Sequence, residues 1–174
     1  MSKIKSILKE WLPSIAIALV VSFLFNSYVA QAMKVPTGSM LPTIQLNDRI
    51  IVGKMKALID YNFGDIIVFW PPIANNSDRY VKRLIGLPGD TIEIKQGALY
   101  RNGDRVDEPY LKEEIRYTFN KVTVPDGHYL FLGDNRNASE DSHLWEQGPF
   151  VAEKDIIGKA ILRYYPLNHM GTID

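Results

Sequence analysis

Cysteine is absent from the 174-residue chain. Its absence excludes disulfides, thiolate catalysis and cysteine-ligated zinc, and suits a domain that works outside the cytoplasm. Charge of one sign is not in excess either, because 20 Lys and Arg balance 20 Asp and Glu. Without a net field there is no general attraction for nucleic acid, and none is expected as a partner. Histidine is scarce. His128, His143 and His169 lack the spacing of metal ligands, so no metal and no other cofactor is expected. The G-x-S-x-G sequence of an α/β-hydrolase elbow is missing. So are internal repeats and low-complexity linkers. Helical periodicity is missing after residue 33, apart from a weak trace over 54–60.

What is present begins with an uncharged run. The segment WLPSIAIALVVSFLFNSYVAQAM, residues 11–33, would be ~34 Å long as a helix, enough to cross a bilayer. Lys3, Lys5 and Lys9 precede it and a long domain follows, which orients the N-terminus towards the cytoplasm. Trp11 and Tyr28 lie near its two ends, where interfacial aromatics are favoured. The expected organisation is a cytoplasmic N-terminus (1–10), a transmembrane anchor (11–33) and an extracytoplasmic domain (34–174). A second reading stays open at this point. A basic leader, the apolar core Ile15 to Phe25 and Ala30-Gln31-Ala32 also spell a cleavable secretory signal. Both readings export the remainder.

Beyond Lys34 the pattern is short apolar runs separated by Gly, Pro, Asn and Asp. RIIV (49–52), DIIVF (65–69), RYVKRLI (79–85), DTIEIK (90–95), HYLFLG (128–133) and KAILRYY (159–165) read as strands. Asn102-Gly103 between two such runs is a strong hairpin signal, since both central residues of a type I′ turn need positive φ. The fold class is therefore mainly β: a compact antiparallel domain behind one N-terminal transmembrane helix.

Three polar stretches interrupt this pattern. In PTGSMLPT (36–43), Pro36 and Pro42 restrict the backbone while Gly38 permits a close approach. A serine so held can present a hydroxyl and its own amide to one point, the pairing that acyl transfer needs. Thr37 offers a second hydroxyl. The stretch also fits a polar turn that follows an apolar run. A serine needs a base, and the three histidines sit in unpromising settings. Lys82 is different: Val81, Leu84 and Ile85 surround it in RYVKRLIGLPGD. Half-neutral lysine at pH 8 requires burial to disfavour the charged form by about 3.3 kcal/mol. Arg83 cannot serve, because guanidinium stays protonated. Taken alone, Lys82 reads more readily as a surface lysine on an edge strand. The third stretch, GDNRNASEDSH (133–143), reads as a solvated loop or as a polar scaffold behind a site.

Together, PTGSMLPT, GDIIVFWPP, YVKRLIGLPGD and GDNRNASEDS, in that order after an apolar N-terminal segment, resemble the type I signal peptidases. These are bacterial membrane-bound Ser/Lys proteases that remove signal peptides from exported proteins. The resemblance runs from the anchor to about Tyr165 and implies a signal-peptidase type of β domain. It implies Ser39 as nucleophile, Lys82 as general base, and the Ser39 amide with the Thr37 hydroxyl as oxyanion hole. Ser139 would orient the lysine amine. Arg83 and Asp134 would form a structural ion pair, with Arg136 and Asp141 in support. His143 stands where relatives commonly carry arginine, which puts the Asp141 ion pair in question. The implied wall for substrate comprises Met33, Val35, Met40, Tyr80 and Val81, with shallow pockets that prefer A-x-A before the cleaved bond.

The implied partners are exported preproteins, the lipid bilayer and, as a further candidate, the secretion translocon. The implied location is the bacterial plasma membrane, single-pass. A specialised Ser/Lys protease and a non-catalytic peptide-binding β module remain the competing readings. Asn75-Asn76-Ser77 and Asn137-Ala138-Ser139 match glycosylation acceptors and are read as chance.

Overall fold

The computed structural model describes residues 2–55, 60–74 and 77–173. Most of the weak helical trace over 54–60, and Asn75 and Asn76 of the first acceptor sequence, lie outside the described residues. The chain opens with helix α1 (Ser2–Leu24), followed by a π-helical turn, Phe25–Val29. Within this run Glu10–Val29, 20 residues, is long and apolar enough for a membrane span, and none of it is buried in the protein. The apolar segment was expected to stay helical to Met33. Instead the backbone extends at Ala30, and Ala30–Lys34 is strand β1. Pairing with β2 (Arg49–Gly53), from Ala30↔Gly53 to Lys34↔Arg49, supplies the backbone bonds that a continued helix would have made.

The remaining strands are β3 (Ile66–Phe69), β4 (Tyr80–Gly86), β5 (Thr91–Lys95), β6 (Ala98–Arg101), β7 (Asp104–Arg105), β8 (Phe119–Thr123), β9 (His128–Leu132), β10 (Phe150–Ala152), β11 (Ile156–Tyr165) and β12 (Gly171–Thr172). All six runs expected as strands correspond to observed strands, four of them running one residue past an end. The larger sheet has the order β1-β2-β11-β3-β4-β9-β10, with β12 on β11. The smaller has β7-β6-β5-β8. Every pairing is antiparallel. At the β6–β7 hairpin Asn102 and Gly103 take φ of 55° and 93°, as a type I′ turn demands.

Alternation along β3 explains why this strand is buried on both faces. Ile66 and Val68 pack in one cluster with Val35, Met40, Ile44 and Ile50. Ile67 and Phe69 pack in another with Leu84, Phe131 and Trp145, where the Phe69 and Phe131 rings stack at 4.3 Å. Each such side chain contributes ~1.5–3 kcal/mol by leaving water. A third cluster joins the sheets through Ile85, Ile92, Leu99 and Leu130. Candidate site residues lie where β4, the turn after β1 and the turn after β9 meet.

Candidate active site

The chain leaving β1 is pinned before it reaches Ser39. The Val35 amide donates to Asp48 O at 2.8 Å and the Asn47 amide to Val35 O at 2.9 Å. Val35, Met40 and Ile44 are then sunk in the core on both sides of the turn. Ser39 lies between these apolar anchors, 9% exposed. Lys82 arrives from β4. It is 3% exposed, so the alternative of a solvated surface lysine does not hold for it.

The Lys82 Nζ donates to Ser39 Oγ at 2.6 Å. Burial pushes the amine down from 10.5 to about 8, against the opposing pull of Asp141 and Glu140. A sizeable neutral fraction therefore exists near physiological pH, and a neutral amine at this distance can accept the hydroxyl proton. Thr37 Oγ1 lies 3.3 Å from Ser39 Oγ. The Lys82 amine also sits 5.1 Å from the centre of the Tyr80 ring.

Behind this pair stands a layer of buried charge. Arg83 donates through Nε and Nη2 to both carboxylate oxygens of Asp134, at 2.8 and 2.7 Å, and through Nη1 to Gly64 O. The Asp134 carboxylate also accepts from Thr43 Oγ1. Asp141 accepts the Gly133 amide at 2.9 Å on one oxygen and His143 Nδ1 at 2.6 Å on the other. His143 stands in hydrogen-bond contact with Asp141, with its ring stacked on Tyr117 at 3.9 Å. Arg136 is buried and pairs with Glu108.

Two expectations need correction. Ser139 is buried, but its hydroxyl makes no hydrogen bond among the described residues, so the bond expected from it to the lysine is not formed. Its place is set by Gly133: a Cβ there would lie 2.2 Å from Ser139 Oγ and 2.5 Å from Ser39 O. Only glycine permits that approach. Met40 is fully buried and does not line the groove in front of Ser39, because its side chain is one of the apolar anchors of the turn.

That groove, about 740 Å³, is lined by Met33, Val35, Thr37, Ser39, Tyr80, Val81 and Lys82 among others. On its β4 side, residues 80–82 pair with β3, while pairing with β9 begins only at Arg83. This stretch of β4 borders the groove. A second depression, about 650 Å³, lies along residues 97–99, 105–108 and 111–114, and of the residues just described it touches only Glu108. Sequence reasoning missed Asn135, Glu108, Tyr110 and Thr43. Asn135 was visible inside GDNRN but carried no signal that separated it from its polar neighbours.

The family model for signal peptidase, peptidase S26, matches residues 8–165. The chain belongs to this family. It is 39% identical to the probable signal peptidase I-1 of Synechocystis sp., over 95% of this chain and 87% of that protein. It is 40% identical to signal peptidase I S of Bacillus subtilis, over 97% and 95% respectively. Signal peptidase I of Leptolyngbya laminosa is 38% identical, over 98% and 86%. Membership of the signal peptidase family and the apolar N-terminal helix together fit a membrane-anchored protein.

Proposed function

We propose that the chain removes N-terminal signal peptides from exported preproteins, with Ser39 as nucleophile and Lys82 as general base. The observation that carries this reading is the 2.6 Å contact between a buried amine held near pKa 8 and a buried hydroxyl. Neutral Lys82 takes the Ser39 proton as Oγ attacks the scissile carbonyl. The resulting oxyanion is met by the Ser39 amide and the Thr37 hydroxyl. The lysine then hands its proton to the departing amine, leaving an acyl-enzyme. A water, deprotonated by the same lysine, hydrolyses the ester and restores both groups.

The substrate enters as an extended strand between the β1 segment and residues 80–82 of β4, which line the groove. Alternate side chains of an extended peptide face the same way, so the first and third residues before the bond meet Met33, Val35, Tyr80 and Val81. Close walls there favour A-x-A. Glu10–Val29 crosses the bacterial plasma membrane once with the N-terminus in the cytoplasm, so enzyme and preprotein share one bilayer, beside the translocon.

The test is cleavage of an exported preprotein by detergent-solubilised protein. Activity should rise with pH through about 8, the Lys82 value, and Ser39→Ala, Lys82→Ala and Lys82→Arg should not cleave. A profile governed by a group near ~6.5 would assign the base to histidine instead. Equal cleavage after alanine and after leucine would refute the shallow pocket.

A further inference from the structure

The segment between β7 and β8 has no catalytic group, yet it reaches the turn that holds the nucleophile. Arg136 spends both terminal nitrogens on the two Glu108 oxygens, and its Nε donates to Gly133 O at 3.1 Å. Tyr110 donates its hydroxyl to Glu108, while its ring lies 3.9 Å from the Arg83 guanidinium that holds Asp134. Gly133 and Asp134 precede Asn135, and Arg136 follows it, so Asn135 is clamped from both sides.

Asn135 in turn grips the nucleophile's main chain. Its amide donates to Ser39 O at 3.0 Å, and its Nδ2 donates to Gly38 O at 3.1 Å. The second bond has the sharper consequence. Gly38 C=O and the Ser39 N–H belong to one planar peptide unit, so fixing the carbonyl fixes the direction of the amide.

We propose that Glu108 and Tyr110 are positioning residues for the reaction: through Arg136, Arg83 and Asn135 they aim the Ser39 amide at the oxyanion. The inference rests on Ser39 being the nucleophile. The segment is itself anchored, since Ile115 and Leu111 pack in the core of the smaller sheet, and the Arg116 amide donates to Asn137 Oδ1. An oxyanion exists only in the transition state, so misaiming its donor lowers kcat and leaves substrate binding alone.

Steady-state processing of a preprotein by Glu108→Gln, Tyr110→Phe and Ser39→Ala tests this. Glu108→Gln should lower kcat about 10- to 100-fold with KM within about twofold. Tyr110→Phe keeps the ring and loses one bond, and should lower kcat about three- to tenfold. If Glu108→Gln does not fold, Glu108→Asp, one methylene short of Arg136, is measured in its place. A folded Glu108 variant with kcat within about twofold of the parent overturns the proposal. So does a variant whose loss appears in KM alone. Ser39→Ala separates the two levels: if it still cleaves, the nucleophile assignment falls; if it is dead and both clamp variants are parent-like, only the clamp falls.

Discussion

The two sheets differ in what they carry. The larger sheet and its turns contain Ser39, Lys82, Arg83 and Asp134, so every group near the reacting hydroxyl comes from it. The smaller sheet contains none of them: β5–β6 and β6–β7 are local hairpins, and β8 returns to pair with β5. Yet the loop that closes the smaller sheet, between β7 and β8, supplies the carboxylate that neutralises Arg136. The lesson is that chemistry and support are separated along the chain: non-local strands bring the reacting groups together, and a local module braces them from behind.

The sharpest break of that contrast is at the dyad. Ser39→Ala or Lys82→Arg should lower processing on the order of 10⁵-fold while circular dichroism stays unchanged. An active Lys82→Arg enzyme would remove the lysine from its role. Next comes Thr37→Val, expected to lower kcat about 10²- to 10³-fold with little change in KM, whereas Thr37→Ser is tolerated. In the smaller sheet the opposite profile is expected. Ile94→Ala should cost about 2–5 kcal/mol in denaturant unfolding, with kcat retained wherever the protein is still folded.

Lys82 also opposes folding, which Lys82→Met should expose. The folded amine titrates near 8 and the unfolded one near 10.5, so between these values the unfolded chain binds more protons. The cost of burying the charge is full below about pH 8 and fades as pH rises to 10.5. Lys82→Met should therefore be roughly 1–3 kcal/mol more stable than the parent at pH 7, and its advantage should disappear at high pH. No pH dependence of that difference would contradict the buried charge. The smallest effect is expected for Ser139→Ala: with no hydrogen bond to lose, kcat should fall less than about tenfold.

Much of this architecture was legible because strands announce themselves by composition. RIIV, DIIVF and HYLFLG became β2, β3 and β9, and Asn102-Gly103 turned as its positive-φ tolerance required. The Gln96-Gly97 turn, with φ of 51° and 73°, was not anticipated, since glutamine is not a residue that marks such turns. The end of the apolar segment was misjudged for a different reason. Ala30–Met33 has no polar residue but Gln31, and only its pairing with a strand 19 residues further on makes it extended. At the site, Ser39 and Lys82 stood out because their neighbours are unusual for their type. Glu108 and Tyr110 did not, for Arg136 lies 28 residues from Glu108 and Arg83 lies 27 from Tyr110.

Strand β1 also acts as a ruler. No slack linker separates the apolar helix from the turn that bears Ser39: the π-helical turn ends at Val29, and Ala30 is already laddered to Gly53. At about 3.3 Å per residue, the five residues of β1 set a span of roughly 16 Å from the helix end towards the groove. With the helix seated in a bilayer, that span fixes the height at which a peptide bond meets the serine. Gaining or losing one residue in β1 would shift the height and turn the groove-lining side chains to the opposite face at once. Met33 belongs at once to the gauge and to the binding wall.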